Sequence, residues 1–207
     1  MLSRLRAGAT RVFTPIAALL LRLGVSPDAV TITGTLGVVL AALWFFPRGQ
    51  LLAGALVIGF LALSDLVDGV MARASGRAGP WGAFLDSTLD RFGDAAIFSG
   101  LLLFLHAEGE TVGAALALVC LVLGSIVPYA RARAEGLGMT ASVGIAERAD
   151  RLATVLVATA VVGVGAPVRV LTVVLALLAV ASAVTVVQRM LTVRRQVRVL
   201  GQPEARP

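Results

Sequence analysis

Residues 64–90 read SDLVDGVMARASGRAGPWGAFLDSTLD and place four aspartates inside a strongly apolar sequence. The fourteen residues that end at Ser64, LLAGALVIGFLALS, carry no charge, and residues 95–105 return to the same apolar character. An aspartate at the centre of a membrane helix costs about 2.5–3.5 kcal/mol on insertion scales. Four aspartates in such surroundings therefore indicate a functional site.

The composition of the whole chain is that of an integral membrane protein. The 207 residues are 58% hydrophobic and 14% charged, with a mean hydropathy of +0.93. The net charge is +6 and every basic residue is an arginine, a balance that suits either nucleic acid or anionic lipid. The high hydropathy favours the membrane, and we expect no nucleic-acid partner. The single Cys120 excludes an internal disulfide.

Apolar segments long enough to cross a bilayer recur along the chain, and we count six. A membrane-spanning helix needs about 20 apolar residues, and helices satisfy their own backbone hydrogen bonds in lipid. The sequence therefore predicts an all-α, polytopic membrane protein with six transmembrane helices. Residues 1–24 are predicted to form an amphipathic helix on the cytoplasmic surface. The predicted spans are residues 29–46, 51–74, 82–105, 111–130, 152–168 and 170–188.

Arginines mark one side of this predicted bundle. They concentrate in the N-terminal segment, in the loops after the second and fourth spans, and in the C-terminal tail, whereas the opposite loops offer only Arg48 and Arg169. The positive-inside rule therefore places both termini and the acidic helix ends in the cytoplasm, with the protein in the plasma membrane. The predicted organisation is a surface helix at 1–24, a six-span domain at 25–192 and a basic cytoplasmic tail at 193–207.

The spacing of the four aspartates directs them towards one gap. Asp65 and Asp68 are three residues apart, and Asp86 and Asp90 are four apart, so each pair shares one face of its helix. The short connection between the two helices makes them antiparallel neighbours. Carboxylates without a histidine or thiolate partner favour a hard cation, Mg²⁺ or Mn²⁺, as one ion or two. Two such ions form the usual clamp for displacement at phosphorus.

Buried aspartates also line cation channels and transporters, which is the main alternative to an enzyme. A transport pathway would spread its acids through the depth of the bilayer. Here the acids lie at one end of two helices, beside Arg73, which suits a phosphate group. We therefore favour an enzyme that acts on phosphate groups and keep a cation transporter as the alternative.

The same residues resemble a known signature. Residues 65–90 follow the pattern D-x2-D-G-x2-A-R-x8-G-x3-D-x3-D, which looks like the full signature of the CDP-alcohol phosphotransferase family. The resemblance implies a six-span enzyme that transfers a phosphatidyl or similar group from a CDP-linked donor to an alcohol and releases CMP. It also implies a homodimer.

The resemblance further implies a role for each matching residue. Asp65, Asp68, Asp86 and Asp90 would bind the metal ions, and Asp90 would also act as general base on the acceptor hydroxyl. Asp94 continues the spacing outside the signature and is interpreted as a supporting residue. The residues implied in binding the donor, CDP-diacylglycerol, are Gly69, Arg73, Gly79, Pro27, Asp28 and Thr31.

A second arginine-rich region suggests the acceptor. The segments YARARAEGLG (129–138) and GIAERADR (144–151) place arginines at the cytoplasmic ends of two spans, which suits an acceptor that carries phosphate. Together with GVSPDAVTITGT, FFPRGQ and GAFLDSTLDR, they are similar to the actinobacterial phosphatidylinositol phosphate synthases, which implies inositol 3-phosphate. Pro128 and Arg131 stand where that subfamily often has serine and lysine, so glycerol 3-phosphate stays the alternative. The candidate acceptor-binding residues are Arg131, Arg133, Arg148, Arg151 and Arg195, with Arg189 as a possible substitute for the last.

Overall fold

A computed structural model describes residues 13–76 and 79–200, without the side chains of Asp65, Leu66 and Leu200. Over these ranges the secondary structure is helical, as the all-α prediction expects. The predicted surface helix and basic tail extend beyond them, at 1–12 and 201–207. The helices are α1 (Phe13–Arg22), α2 (Pro27–Phe45) with a 3₁₀ turn (Phe46–Arg48), α3 (Leu51–Leu61), α4 (Ser64–Ala74), α5 (Pro80–Ala107), α6 (Thr111–Glu135), α7 (Arg148–Gly163) and α8 (Arg169–Leu200).

Three helices in the described part of the chain are long and apolar enough to cross a membrane. They are α2 with its 3₁₀ turn, α6, and α8 as far as Val199. The helices α3 and α4 have 11 residues each and α7 has 16, while α5 carries aspartates in its first half. The architecture is therefore that of a helical membrane protein, and the count of six spans and the amphipathic surface helix stay predictions.

The second predicted span is two helices in the structure. α3 ends at Leu61 and α4 begins at Ser64, whose hydroxyl donates to the carbonyl oxygen of Leu61 (2.6 Å). A serine that bonds the preceding turn competes with the backbone ladder and bends helices. The break packs against α2, where a Cβ on Gly34 would lie 2.1 Å from Ser64 Oγ. It separates the apolar half of the predicted span from the acidic half.

The apolar core joins α2, α3 and the helices α5 to α8. Phe46, Leu101 and Leu175 are completely buried in this core. α5 approaches α2 so closely that a Cβ on Gly100 would lie 2.5 Å from the carbonyl oxygen of Ala42. This contact fixes the acidic first half of α5 relative to the N-terminus of α2.

The helix α4 is held from two sides. Val67, Val70 and Met71 form a second apolar cluster with the buried Ala17 of α1, and α4 also packs along α2. On α1, Ile16 is exposed and faces away from the cluster. Asp68 and Arg73 therefore sit on a helix whose position depends on both α1 and α2.

Candidate active site

A cavity of about 350 Å³ opens between the N-terminal end of α2, the helix α4 and the start of α5. We call it the α4–α5 cavity. It is lined by every residue predicted to bind the donor, together with the predicted metal ligands Asp68 and Asp86. The residues that line it are Pro27, Asp28, Thr31, Asp68, Gly69, Ala72, Arg73, Gly79, Gly82, Ala83 and Asp86.

The N-terminus of α2 forms one wall of the α4–α5 cavity. Ser26 caps the helix by accepting a hydrogen bond from the backbone N–H of Ala29 (3.2 Å), and Pro27 occupies the first turn, where its missing N–H is not needed. Asp28 accepts a hydrogen bond from Trp81 Nε1 (3.0 Å), which ties α2 to the start of α5. A helix N-terminus at the cavity favours anionic groups such as phosphate.

Thr31 positions the carboxylate of Asp68. Thr31 Oγ1 lies 2.5 Å from Asp68 Oδ2 and 3.1 Å from the carbonyl oxygen of Pro27, and both side chains are buried. Since an ionised carboxylate only accepts, the hydroxyl is the donor in this contact. A buried charge requires such hydrogen bonds. Thr31 therefore acts on the site through Asp68 as well as by lining the cavity.

The glycines of the signature leave space beside the carboxylates. A Cβ on Gly82 would meet no heavy atom within 4 Å, and one on Gly69 would make only an ordinary contact, 3.5 Å from Arg73 Nη1. Arg73 is exposed at the end of α4 and lines the cavity. The cavity thus combines free volume, the three carboxylates of Asp28, Asp68 and Asp86, and a guanidinium group that can donate to phosphate.

Asp86 and Asp90 lie in different surroundings, although they are one helical turn apart. Asp86 lines the α4–α5 cavity, whereas Asp90 lines a small cavity of about 20 Å³ together with Arg148. Asp90 Oδ1 is 2.9 Å from Arg148 Nη1. Among the residues that the structure describes, no three acidic, histidine or cysteine residues form a group that could hold a metal ion. The convergence of four aspartates stays a prediction, since it also involves the side chain of Asp65.

The five arginines predicted to bind the acceptor lie in three places. Arg148 and Arg151 are at the start of α7, next to acidic residues of α5. Arg131 and Arg133 are exposed at the end of α6. Arg195 lines another cavity, of about 290 Å³, between α8 and the loop before α7. The structure thus brings two of the five to Asp90 and its neighbours.

Two buried arginines hold the loop between α6 and α7. Arg151, 3% exposed, donates to the carbonyl oxygens of Ala146 (3.1 Å) and Gly124 (3.4 Å). Arg189, 5% exposed, donates to the carbonyl oxygen of Val143 (2.9 Å) and to the backbone of α6. Both side chains are engaged by backbone groups, and a contact of Arg151 with the acceptor stays a prediction.

Sequence reasoning missed one residue of the site and undervalued another. Trp81 bonds Asp28, but a tryptophan that follows Pro80 carries no signal for such a contact. Asp94 is 6% exposed and pairs with arginines of α7. Its spacing of four residues from Asp90 was the available signal, and its partners on α7 could not be inferred from the sequence.

Comparisons with known proteins identify the family. The CDP-alcohol phosphatidyltransferase family model matches residues 24–193. The phosphatidylinositol phosphate synthase of Streptomyces avermitilis is 50% identical over 198 residues, which cover 92% of this chain and 81% of the relative. That of Cutibacterium acnes is 50% identical over 203 residues, which cover 94% of this chain and 98% of the relative.

Solved structures agree with this assignment. The crystal structure of Mycobacterium tuberculosis phosphatidylinositol phosphate synthase with CDP-DAG bound has a TM-score of 0.84 and 44% identity, and the match covers 88% of this chain and 94% of that chain. The same enzyme in complex with manganese and citrate has a TM-score of 0.84 and 43% identity, and the match covers 88% of both chains. Our chain belongs to the CDP-alcohol phosphatidyltransferase family and is a transferase of phospholipid biosynthesis.

Proposed function

We propose that this chain transfers the phosphatidyl group of CDP-diacylglycerol to inositol 3-phosphate and releases CMP. The observation that carries the proposal is the α4–α5 cavity, which gathers the signature residues Asp68, Gly69, Arg73 and Asp86 with the N-terminus of α2. The relatives at 50% identity are phosphatidylinositol phosphate synthases, and the structural neighbour holds CDP-DAG. Both support the choice of donor and acceptor.

In this proposal the α4–α5 cavity binds the CDP part of the donor. Arg73 donates to the diphosphate, and Pro27, Asp28 and Thr31 at the N-terminus of α2 line another wall of the cavity, where they would contact the nucleotide. Gly69 and Gly79 line the same cavity and leave room for the nucleotide. The diacylglycerol tails would then extend into the lipid around the helices.

The carboxylates are of the kind that divalent ions prefer as ligands, and enzymes of this family use such ions. Asp68 and Asp86 offer hard oxygen ligands to one cavity, and the Thr31 hydroxyl keeps the Asp68 carboxylate in place. We propose Asp65, Asp68, Asp86 and Asp90 as the residues that hold Mg²⁺ or Mn²⁺, as one ion or two. The bound ions would neutralise the diphosphate and stabilise the leaving CMP.

We propose Asp90 as the general base that takes the proton of the acceptor hydroxyl. It is 17% exposed in its side chain and adjoins Arg148, so the acceptor phosphate and the attacking hydroxyl would be bound by neighbouring groups. Arg131, Arg133, Arg151 and Arg195 stay candidates for acceptor binding. Arg151 already lies beside Asp94, whereas Arg131 and Arg133 lie at the end of α6 and Arg195 lies on α8.

A second acceptor, glycerol 3-phosphate, is kept because of one residue. Pro128 lies within α6 and has no hydroxyl to offer to a polyol. Fewer polyol contacts would favour a smaller phosphorylated alcohol. The chemistry and the arginines that bind phosphate would be the same.

The membrane arrangement is part of the proposal. The long apolar helices and the family indicate a membrane protein. The arginine distribution favours a plasma-membrane protein whose termini and active site face the cytoplasm, where CDP-linked donors and phosphorylated polyols are water-accessible. We also propose a homodimer.

The test is CMP release by the purified protein in detergent micelles that contain CDP-diacylglycerol and Mg²⁺. Inositol 3-phosphate, glycerol 3-phosphate, inositol and serine are supplied separately, with Asp90→Asn as the inactive variant and Asp150→Asn, an exposed carboxylate on α7, as its matched control. Release with inositol 3-phosphate alone, lost in Asp90→Asn, supports the proposal. CMP release with glycerol 3-phosphate alone would show that glycerol 3-phosphate is the acceptor. No CMP release with any of the four alcohols would contradict the proposed reaction.

A further inference from the structure

Two aspartates of α5 and three arginines form a cluster where α5 meets the N-terminus of α7. We call it the Asp94 cluster. Asp94 Oδ1 accepts a hydrogen bond from Arg148 Nε (3.1 Å), and Asp94 Oδ2 lies 3.7 Å from Arg151 Nη2 and 3.9 Å from Arg91 Nη2. Asp90 lies 2.9 Å from Arg148 Nη1 and 3.7 Å from Arg91 Nη2. The cluster therefore reaches from a residue outside the family signature to the proposed base.

Burial divides the cluster into a fixed inner part and an accessible outer part. The side chains of Asp94 and Arg151 are 9% and 3% exposed, and Arg151 also bonds backbone carbonyl oxygens on two elements. The side chains of Asp90 and Arg148 are 17% and 29% exposed. A ligand that enters from the cytoplasmic side therefore meets Arg148 and Asp90 first, with Asp94 behind them.

Arg148 uses two different edges of its guanidinium group. Its Nε donates to Asp94 while its Nη1 contacts Asp90. Because a guanidinium carries five N–H donors in a fixed plane, one edge can exchange its partner while the other keeps its own. Arg148 can therefore give up Asp90 without leaving Asp94.

The charge of the cluster favours this exchange when an anion arrives. Among the described side chains of the cluster, three arginines face two aspartates, an excess of one positive charge. An incoming phosphate monoester carries nearly two negative charges and three strong acceptor oxygens, so it competes well for the outer edge of Arg148. An uncharged polyol has no comparable acceptor.

We propose that Asp94 is a positioning residue. Before the acceptor binds, Asp94 holds Arg148 in contact with Asp90. When the acceptor's phosphate replaces Asp90 as the partner of Arg148 Nη1, Asp94 keeps Arg148 in place. Asp90 is then released to accept the proton of the attacking hydroxyl. Base activation would thereby depend on the acceptor's phosphate. This inference rests on the proposed function and adds a means of acceptor selection to it.

The first experiment measures the KM of each substrate in Asp94→Asn, with Asp150→Asn as the matched control. The asparagine keeps the shape of the side chain but removes the charge that anchors Arg148. We expect the KM for inositol 3-phosphate to rise by at least about tenfold, with the KM for CDP-diacylglycerol within about twofold of the wild type. Equal changes in both KM values would show a merely structural role, and a fall in kcat alone would show that Asp94 does not act on acceptor binding; either result would overturn the proposal.

The second experiment supplies the acceptor in two pieces. Wild-type protein receives inositol without its phosphate, and inorganic phosphate is then added separately. We expect added phosphate to accelerate CMP release with inositol in the wild type and in Asp150→Asn but to have no effect in Asp94→Asn. No acceleration in the wild type would overturn the release of Asp90 by phosphate.

The experiments also allow for a variant that does not fold and for a different acceptor. If Asp94→Asn does not fold, Arg148→Lys replaces it, because a lysine lacks the two separate edges, and the same acceptor-specific rise in KM is expected. Should glycerol 3-phosphate prove to be the acceptor, it and glycerol replace the inositol pair. Wild-type protein that releases no CMP with either phosphorylated alcohol refutes the proposed function itself, whereas an active wild type with an unaltered Asp94→Asn refutes only the inference.

Discussion

Replacing Thr31 with valine tests whether the buried hydroxyl supports the proposed metal site. Thr31 and Asp68 are both 7% exposed, and the hydroxyl lies 2.5 Å from Asp68 Oδ2. Valine nearly preserves the volume of the side chain and removes only the donor. The Asp68 carboxylate then loses the hydrogen bond that it accepts from Thr31 at the wall of the α4–α5 cavity.

The size of the effect follows from the kind of bond that is lost. A hydrogen bond to a charged group contributes about 1.5–3 kcal/mol. Since about 1.4 kcal/mol corresponds to a factor of ten, the loss predicts a roughly 10- to 100-fold change in metal affinity. Substitution of the outer partners of metal-binding carboxylates commonly has an effect of this order.

The assay is CMP release as a function of Mg²⁺ concentration, with Thr33→Val as the matched control. Thr33 is exposed and its hydroxyl donates to the carbonyl oxygen of Ala29 on its own helix (2.7 Å), so its removal leaves the cavity unchanged. We expect the half-saturating Mg²⁺ concentration to rise about 10- to 100-fold in Thr31→Val alone. An unchanged Mg²⁺ dependence with a raised KM for CDP-diacylglycerol would refute the reasoning and make Thr31 a direct donor contact.

Three further substitutions, two of them paired with a control substitution, test packing, burial and donor binding. Gly100→Ala should lower the free energy of unfolding in mixed micelles by about 1–3 kcal/mol, because its Cβ would meet backbone of α2. Gly59→Ala, with no atom within 4 Å, should be neutral or stabilising by up to about 1 kcal/mol. Arg151→Met should lower the same free energy of unfolding by about 1–3 kcal/mol, because it removes the hydrogen bonds that Arg151 donates to the carbonyl oxygens of Ala146 and Gly124, whereas the exposed Arg131→Met should change it by less than about 1 kcal/mol. Arg73→Ala should raise the KM for CDP-diacylglycerol about tenfold in the CMP assay and leave the acceptor KM within about twofold.

The donor side of the site is largely readable from the sequence. Asp68, Gly69 and Arg73 follow one another on one helix, so the helical period alone places them on adjoining faces. The resemblance to the family added Thr31 and Gly79, which lie far apart in sequence, and the structure places both at the α4–α5 cavity. Local spacing and a signature were sufficient here because each wall of the cavity is a single short segment.

The acceptor side could not be read in the same way. The arginines of α6, α7 and α8 are distant in sequence, and their placement depends on the loop between α6 and α7. That loop is held by buried contacts of Arg151 and Arg189 with backbone carbonyl oxygens, which no spacing rule predicts. The break before Ser64 was missed for a related reason, since it depends on a hydroxyl that packs against Gly34 of another helix.

The first half of α5 connects the proposed donor side of the site with the proposed acceptor side. It presents Asp86 to the α4–α5 cavity and Asp90 to Arg148, and their spacing of four residues corresponds to about 6 Å along the helix axis. A donor bound on one side and an acceptor bound on the other would therefore meet across a single turn of helix. Because both residues belong to one continuous helix, its hydrogen-bonded backbone fixes this spacing. The freedom that the reaction needs must then lie in side chains, and Arg148, which contacts Asp90 with one edge and Asp94 with the other, is the one best placed to provide it.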